Sequence, residues 1–134
     1  MTKSKSLIGL DVGEKRIGIA VADRSIRIAV AYDTFDVDGT EIENIAELVV
    51  KEGADIIVVG YPRNQSGEAT AQTAFVEAFV EKLADLPARV EFQDESLTSV
   101  LAEERLKAQK VPYQKGDIDS MAAALILQDY IETH

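Results

Sequence analysis

The stretch LIGLDVGEKRIGIAVAD, Leu7 to Asp23, sets two runs of small and β-branched residues on either side of Gly13-Glu14-Lys15. A three-residue, glycine-containing turn between two such runs is a β-hairpin signal. The chain is therefore expected to open with strands over Ser6 to Val12 and Arg16 to Asp23. A third strand fits Arg27 to Phe35, where Ile28, Val30, Tyr32 and Thr34 alternate against Ala29, Ala31 and Asp33, giving an antiparallel meander.

The period then changes. Ile42, Ile45, Leu48 and Val49 recur at helical spacing between Thr40, a plausible cap, and Gly53, a stop. Asp55 to Gly60 is a short continuous apolar run, as expected of a strand buried on both faces and paired in parallel with another. A second helix follows, with the stripe Ala71, Phe75, Ala78, Phe79 and Leu83 closed by Pro87, then a strand over Arg89 to Asp94. Helices over Leu97 to Gln109 (Leu97, Val100, Leu101 and Ala108 inward) and Ile118 to Ile131 complete the order βββαβαβαα, with Lys110 to Gly116 as the loop between them. Such an order implies one α/β domain over residues 1–134, a five-stranded mixed sheet with helices on both faces.

Composition narrows the chemistry. With no cysteine and a single histidine, His134, thiolate metal sites and histidine catalysis are not expected. The net charge of -10, from 24 acids and 14 bases, argues against broad nonspecific attraction to phosphate backbones or anionic membranes. The apolar run Ala122 to Leu127 falls far short of the roughly 20 residues that span a bilayer, and no signal-peptide pattern develops at the N-terminus, so a cytoplasmic location is expected.

Asp11 stands inside the first strand, on the face it shares with Leu7 and Gly9. A carboxylate there needs a cation, hydrogen-bond donors or a partly wet site. Lys15 or Arg16, across the hairpin, could neutralise it, and a ligand role fits equally well. Asp94-Glu95 ends the last strand, and either acid could serve. Asp117 or Asp119 would begin the final helix, where the helix dipole favours negative charge. Acids at two strand ends and a helix start can meet in a crevice at one end of the sheet. Three carboxylates without histidine or cysteine suit hard cations, Mg²⁺ or Mn²⁺, and paired ions of this kind activate water and stabilise the leaving oxygen of a phosphodiester.

The loop from Gly60 to Gly67 follows a strand and precedes a helix, so its backbone N–H groups and Arg63 could hold a phosphate. It lacks the ending of a Walker A loop. Gly9 and Gly13, beside Asp11, would leave room for metal and phosphate.

Four segments, LDVGEKRIGIAV, IIVVGYPRNQSGE, FQDESLTS and KGDIDSMAAALILQDYI, resemble in order and spacing the signature regions of the YqgF family of bacterial ribonuclease H-like proteins. The resemblance runs from Leu7 to Ile131. It implies a ribonuclease H-like fold and a metal-dependent nuclease, described both as maturing the 5′ end of 16S ribosomal RNA precursors and as resolving Holliday junctions. It also implies metal ligands and catalytic residues at Asp11, Glu95 and Asp119, with substrate contacts at Gly13, Arg16, Gly60, Pro62 and Gly67, to which the residues themselves add Arg63 and Lys115 as candidate phosphate-binding cations. The family commonly has arginine after Asp-Glu, whereas this chain has Ser96, so Arg63 or a lysine would have to substitute. The partners implied are structured RNA or branched DNA, with pre-ribosomal particles, for a monomer or homodimer and no membrane. A catalytically weak RNA-binding assembly factor is a further alternative that the negative charge and Ser96 suggest.

Overall fold

The computed structural model describes residues 6–62, 70–95, 98–110 and 112–134, with side chains at 95 and 98–100 excepted. Strands β1 (Ser6–Val12) and β2 (Arg16–Asp23) form the expected hairpin, and β3 (Ala29–Asp36) extends it antiparallel to β2. β4 (Ala54–Pro62) pairs in parallel with β1, and β5 (Arg89–Glu95) in parallel with β4. The five-stranded mixed sheet has the order β3-β2-β1-β4-β5, with the first strand at its centre. The continuous apolar run of β4 is explained by this position, since both of its faces are covered.

On one face, helices α1 (Glu41–Glu52) and α2 (Ala71–Glu81) contribute Ile45, Leu48, Val49, Val76 and Phe79 to a cluster with Ile8, Leu10, Ile19, Ile57 and Val59. Burial of each such aliphatic side chain stabilises by about 1.5–3 kcal/mol relative to exposure. On the other face lies α4 (Lys115–Thr133), whose Ala123, Ile126, Leu127, Tyr130 and Ile131 cover Leu7, Ala20, Ala22, Ile56 and Val58. Helix α3 (Thr98–Ala108) packs on α4 rather than on the sheet, through Ala102, Ala122 and Leu125. No helix among the described residues is long and apolar enough to cross a membrane.

The residues under α4 are small, and that decides how close the helix lies. A Cβ on Gly9 would stand 2.8 Å from Cβ of Leu127, and one on Gly18 would stand 1.9 Å from the carbonyl oxygen of Asp119. Both glycines are thus sites where a second backbone approaches the strand. The space beside Gly9 is filled by α4, and that beside Gly13 by the Arg16 carbonyl oxygen, 2.7 Å from a Cβ there. Neither is open room for metal and phosphate, which corrects the expectation from sequence.

β3 departs from simple alternation. Ile19 pairs with Asp33 and Ala20 with Ala31, so Tyr32 is an extra residue, a β-bulge. Before it, Ala29 and Ala31 face α4 while Val30 lies opposite Val21; after it, Thr34 and Asp36 take the α4 side and Phe35 packs into the α1 and α2 cluster. Thr34 therefore does not share a face with Val30. It donates its hydroxyl to the Gly116 carbonyl oxygen at 2.5 Å.

Several local expectations shift. Gly53 stops α1 in the left-handed conformation, φ 63°, as anticipated, but Thr40 makes no side-chain cap; Asp38 instead accepts from the Thr40 N–H and hydroxyl. In α2, Ala71 and Ala78 are exposed, and Thr73, Val76 and Phe79 are buried. In α3, Leu101 and Ala108 are exposed, while Ala102 and Leu106 face inward; Leu97 and the side chain of Val100 lie outside the described residues. α4 begins at Lys115, three residues earlier than its periodicity suggests, because the Asp117 carboxylate accepts the Gln114 N–H at 2.9 Å and secures the first turn.

Candidate active site

Asp11 sits one residue before the end of β1 and pairs across the hairpin with Gly18. Directly paired residues share a face, and Gly18 abuts the backbone of Asp119 and Ser120. Asp11 and the Asp119 backbone therefore both adjoin Gly18 on the α4 side of the sheet. Asp117 serves a different purpose: it caps α4, whereas Asp119 lies in the helix's second turn. Of the two acids the sequence left open, the second is the one turned onto the sheet.

The Asp119 carboxylate is engaged by Arg16, whose Nε–H donates to Oδ2 at 2.7 Å. That bond and the charge of Asp119 hold the Arg16 guanidinium above its ordinary pKa against the opposing effect of burial, and Asp36 adds a smaller electrostatic contribution. Asp36 is the β3 partner of Arg16. Arg16 thus answers Asp119 within the hairpin's reach, and Lys15 is exposed in the turn.

At the far side, β5 supplies the acid pair. Asp94 pairs with Tyr61 and Glu95 with Pro62. Tyr61 and Phe92, which share Asp94's register, meet edge-on at 4.9 Å, and Tyr61 donates its hydroxyl to Glu77 of α2 at 2.8 Å. Asp94 consequently belongs by register to the α2 side, and position 95 to the side of Gly60 and Val58, which Asp11 also occupies. The Glu95 side chain lies outside the described residues, as do Arg63, Gly67 and Ser96.

The ends of β1 and β4 are tied together by the start of α2. The Thr73 hydroxyl donates to the Pro62 carbonyl oxygen at 2.6 Å, and the Gln72 amide to the Val12 carbonyl oxygen at 3.3 Å. Thr70 and Thr73 also bond reciprocally as the α2 cap. Gly60 is buried, Pro62 half-buried, and Lys115 exposed as the first residue of α4. Gly13 closes the hairpin by donating its N–H to the Arg16 carbonyl oxygen at 3.0 Å.

Asp11 and Asp119 offer only carboxylate oxygens, the donor chemistry of a hard divalent cation. Among the described residues no three histidine, cysteine or acidic side chains form a metal-holding group. Gly18, Thr34, Asp36 and Thr73 were not singled out from sequence. Gly18 alone carried a readable signal, a glycine in a strand interior.

Residues 5–133 match the model of the RuvX family, described as Holliday junction resolvase. A relative from Chloroflexus aggregans is 43% identical over 96% of this chain and 94% of its own length, and one from Synechocystis is 39% identical over 98% and 90%; each carries the name "Putative pre-16S rRNA nuclease". Among solved structures, Thermus thermophilus RuvC in complex with a Holliday junction substrate aligns with a TM-score of 0.58 at 12% identity, covering 96% of this chain and 94% of that one. The fowlpox virus resolvase bound to Holliday junction DNA aligns with a TM-score of 0.58 at 12% identity, over 96% and 97%. These likenesses establish the ribonuclease H-like fold. By the family match and the relatives together, the chain belongs to the RuvX (YqgF) family.

Proposed function

We propose that the chain is a divalent-metal-dependent nuclease that hydrolyses phosphodiester bonds in structured RNA, maturing the 5′ end of the 16S ribosomal RNA precursor. The observation that carries this reading is the juxtaposition of Asp11 and Asp119 through Gly18, at the end of the sheet where β1, β4 and β5 all terminate. The names of the curated relatives favour the RNA substrate.

In this reading Asp11, Asp119 and Glu95 hold Mg²⁺ or Mn²⁺. Bound there in a pair, these cations would supply water activation and charge neutralisation at the leaving oxygen. The chain's own contribution is positional. β1 fixes Asp11 on a rigid strand, α4 brings Asp119 onto Gly18, and the hydrogen bonds from Thr73 and Gln72 hold the ends of β4 and β1 at one α2 terminus. Gly60, Pro62, Arg63 and Gly67 would bind the substrate backbone on one flank, and Gly13, Arg16 and Lys115 on the other. The acidic surface is compatible with this because the cations reverse the local field.

The test is incubation of the pure protein with 16S precursor RNA and Mg²⁺ or Mn²⁺, beside Asp11→Asn and Asp119→Asn. Cleavage undiminished in both variants would sink the site. The family description favours a second substrate, four-way DNA junctions, which belongs in the same assay. Preference for junction over both RNA and duplex DNA would move the reading there. RNA binding without metal-dependent turnover would make the chain an assembly factor instead.

A further inference from the structure

We propose that Arg16 is the resident counter-ion of Asp119 and is displaced toward Asp36 when a divalent cation occupies the site. The inference rests on the metal-site reading above and adds to it a second, exchangeable state of the hairpin.

The pair has the features of an exchangeable contact. It runs through one bond, Nε to Oδ2 at 2.7 Å, rather than the two-point fork that arginine and carboxylate form when locked together. It is also reached by water, the two side chains being 37% and 25% exposed, and surface pairs of this kind contribute little to stability. Without a cation, Arg16 supplies the charge that lets a carboxylate rest beside Asp11 on the same sheet face. With one bound, a guanidinium at hydrogen-bond distance from the same oxygen would stand against a doubly charged ion, and the two cations repel.

Asp36 gives the displaced side chain a destination. It is the β3 partner of Arg16, already interacts with it electrostatically, and is exposed. The Tyr32 bulge is what puts Asp36 on this face. The exchange therefore needs side-chain rotation only, with the Gly13 to Arg16 turn unchanged.

The experiment is an NMR titration of the full chain with Mg²⁺, following the Arg16 Nε–H resonance and the backbone amides of Asp11, Gly18 and Asp119. The expected result is that the Arg16 Nε–H signal leaves its carboxylate-bonded position with the same midpoint as the amides. An Arg16 signal that stays while the amides titrate would overturn the exchange but leave the metal site standing. Amides that do not respond to Mg²⁺ would remove both. As a second arm, Mn²⁺ affinity measured by EPR should rise at least about fivefold in Arg16→Gln, since competing ligands weaken one another reciprocally. Equal or weaker affinity in a variant whose thermal unfolding matches the parent would also overturn the proposal.

Discussion

The backbone of Asp119 rests on Gly18, the residue that pairs with Asp11 across the β1–β2 hairpin. Helix position and acid position are thereby set by one contact, which a single methyl group would break.

Gly18→Ala should destabilise the fold by about 1–3 kcal/mol or more, because the new Cβ meets a carbonyl oxygen and the helix must move as a body. Gly116→Ala is the control. Its Cβ would find only ordinary contact with Thr34 at 3.6 Å, and it stands in a helix, so a gain of up to about 1 kcal/mol is expected. Urea denaturation of the two variants should move in opposite directions.

Thr34→Val removes the hydroxyl that Gly116 receives while keeping the side-chain shape. A loss of about 1 kcal/mol is expected for one hydrogen bond. Cleavage should fall too, since the first turn of α4, which this bond anchors, leads directly into the turn that carries Asp119; a drop in stability with unchanged cleavage would separate the anchor from the site.

Two acids two residues apart should behave differently. Asp119→Asn should lower cleavage about 10²–10³-fold, the usual effect of removing a group that stabilises developing charge. Asp117→Asn weakens only a helix cap, so a stability loss of about 0.5–1 kcal/mol with near-parental cleavage is expected. Single-turnover rates alongside thermal melts distinguish them.

Asp23 is held below its ordinary value of 3.8 by the Ser25 hydroxyl, then by the Ser25 N–H. Its folded-state pKa lies below the unfolded one, so its stabilising contribution is complete above 3.8 and is lost as pH falls through the folded value. Ser25→Ala should bring the Asp23 carboxyl back up toward 3.8 in an NMR titration, leaving Asp38, lowered separately by Thr40, where it is.

Much of this was legible in the chain, and the remainder has physical reasons. The hairpin was readable because Gly13-Glu14-Lys15 separates two runs of matched period, and the bounds of β1 and β2 follow. Which of positions 94 and 95 shares a sheet face with Asp11 was not, because alternation fixes a period and not a phase; pairing of Tyr61 with Asp94 supplies the phase. The start of α4 was obscured by Pro112 and Gly116, which read as loop, while the Gln114 N–H, donating to the Asp117 carboxylate, secures the turn. The bond from Arg16 to Asp119 was not readable either, because the two are 103 positions apart and only packing of α4 brings them near.

The extra residue at Tyr32 makes β3 a strand that can lose one residue without changing the facing of the others. Many side chains could replace Tyr32, since it is exposed and leaves the ladder at that point. Deleting Tyr32 would bring Asp33 directly after Ala31, so that the pairs Ile19–Asp33 and Ala20–Ala31 become consecutive and every later side chain keeps its face. Phe35 would stay in the α1 and α2 cluster, and Thr34 and Asp36 on the α4 side. Deletion of Tyr32 should therefore be tolerated, whereas deletion of Leu10 from β1, whose pairing with β2 has no such extra residue, should not.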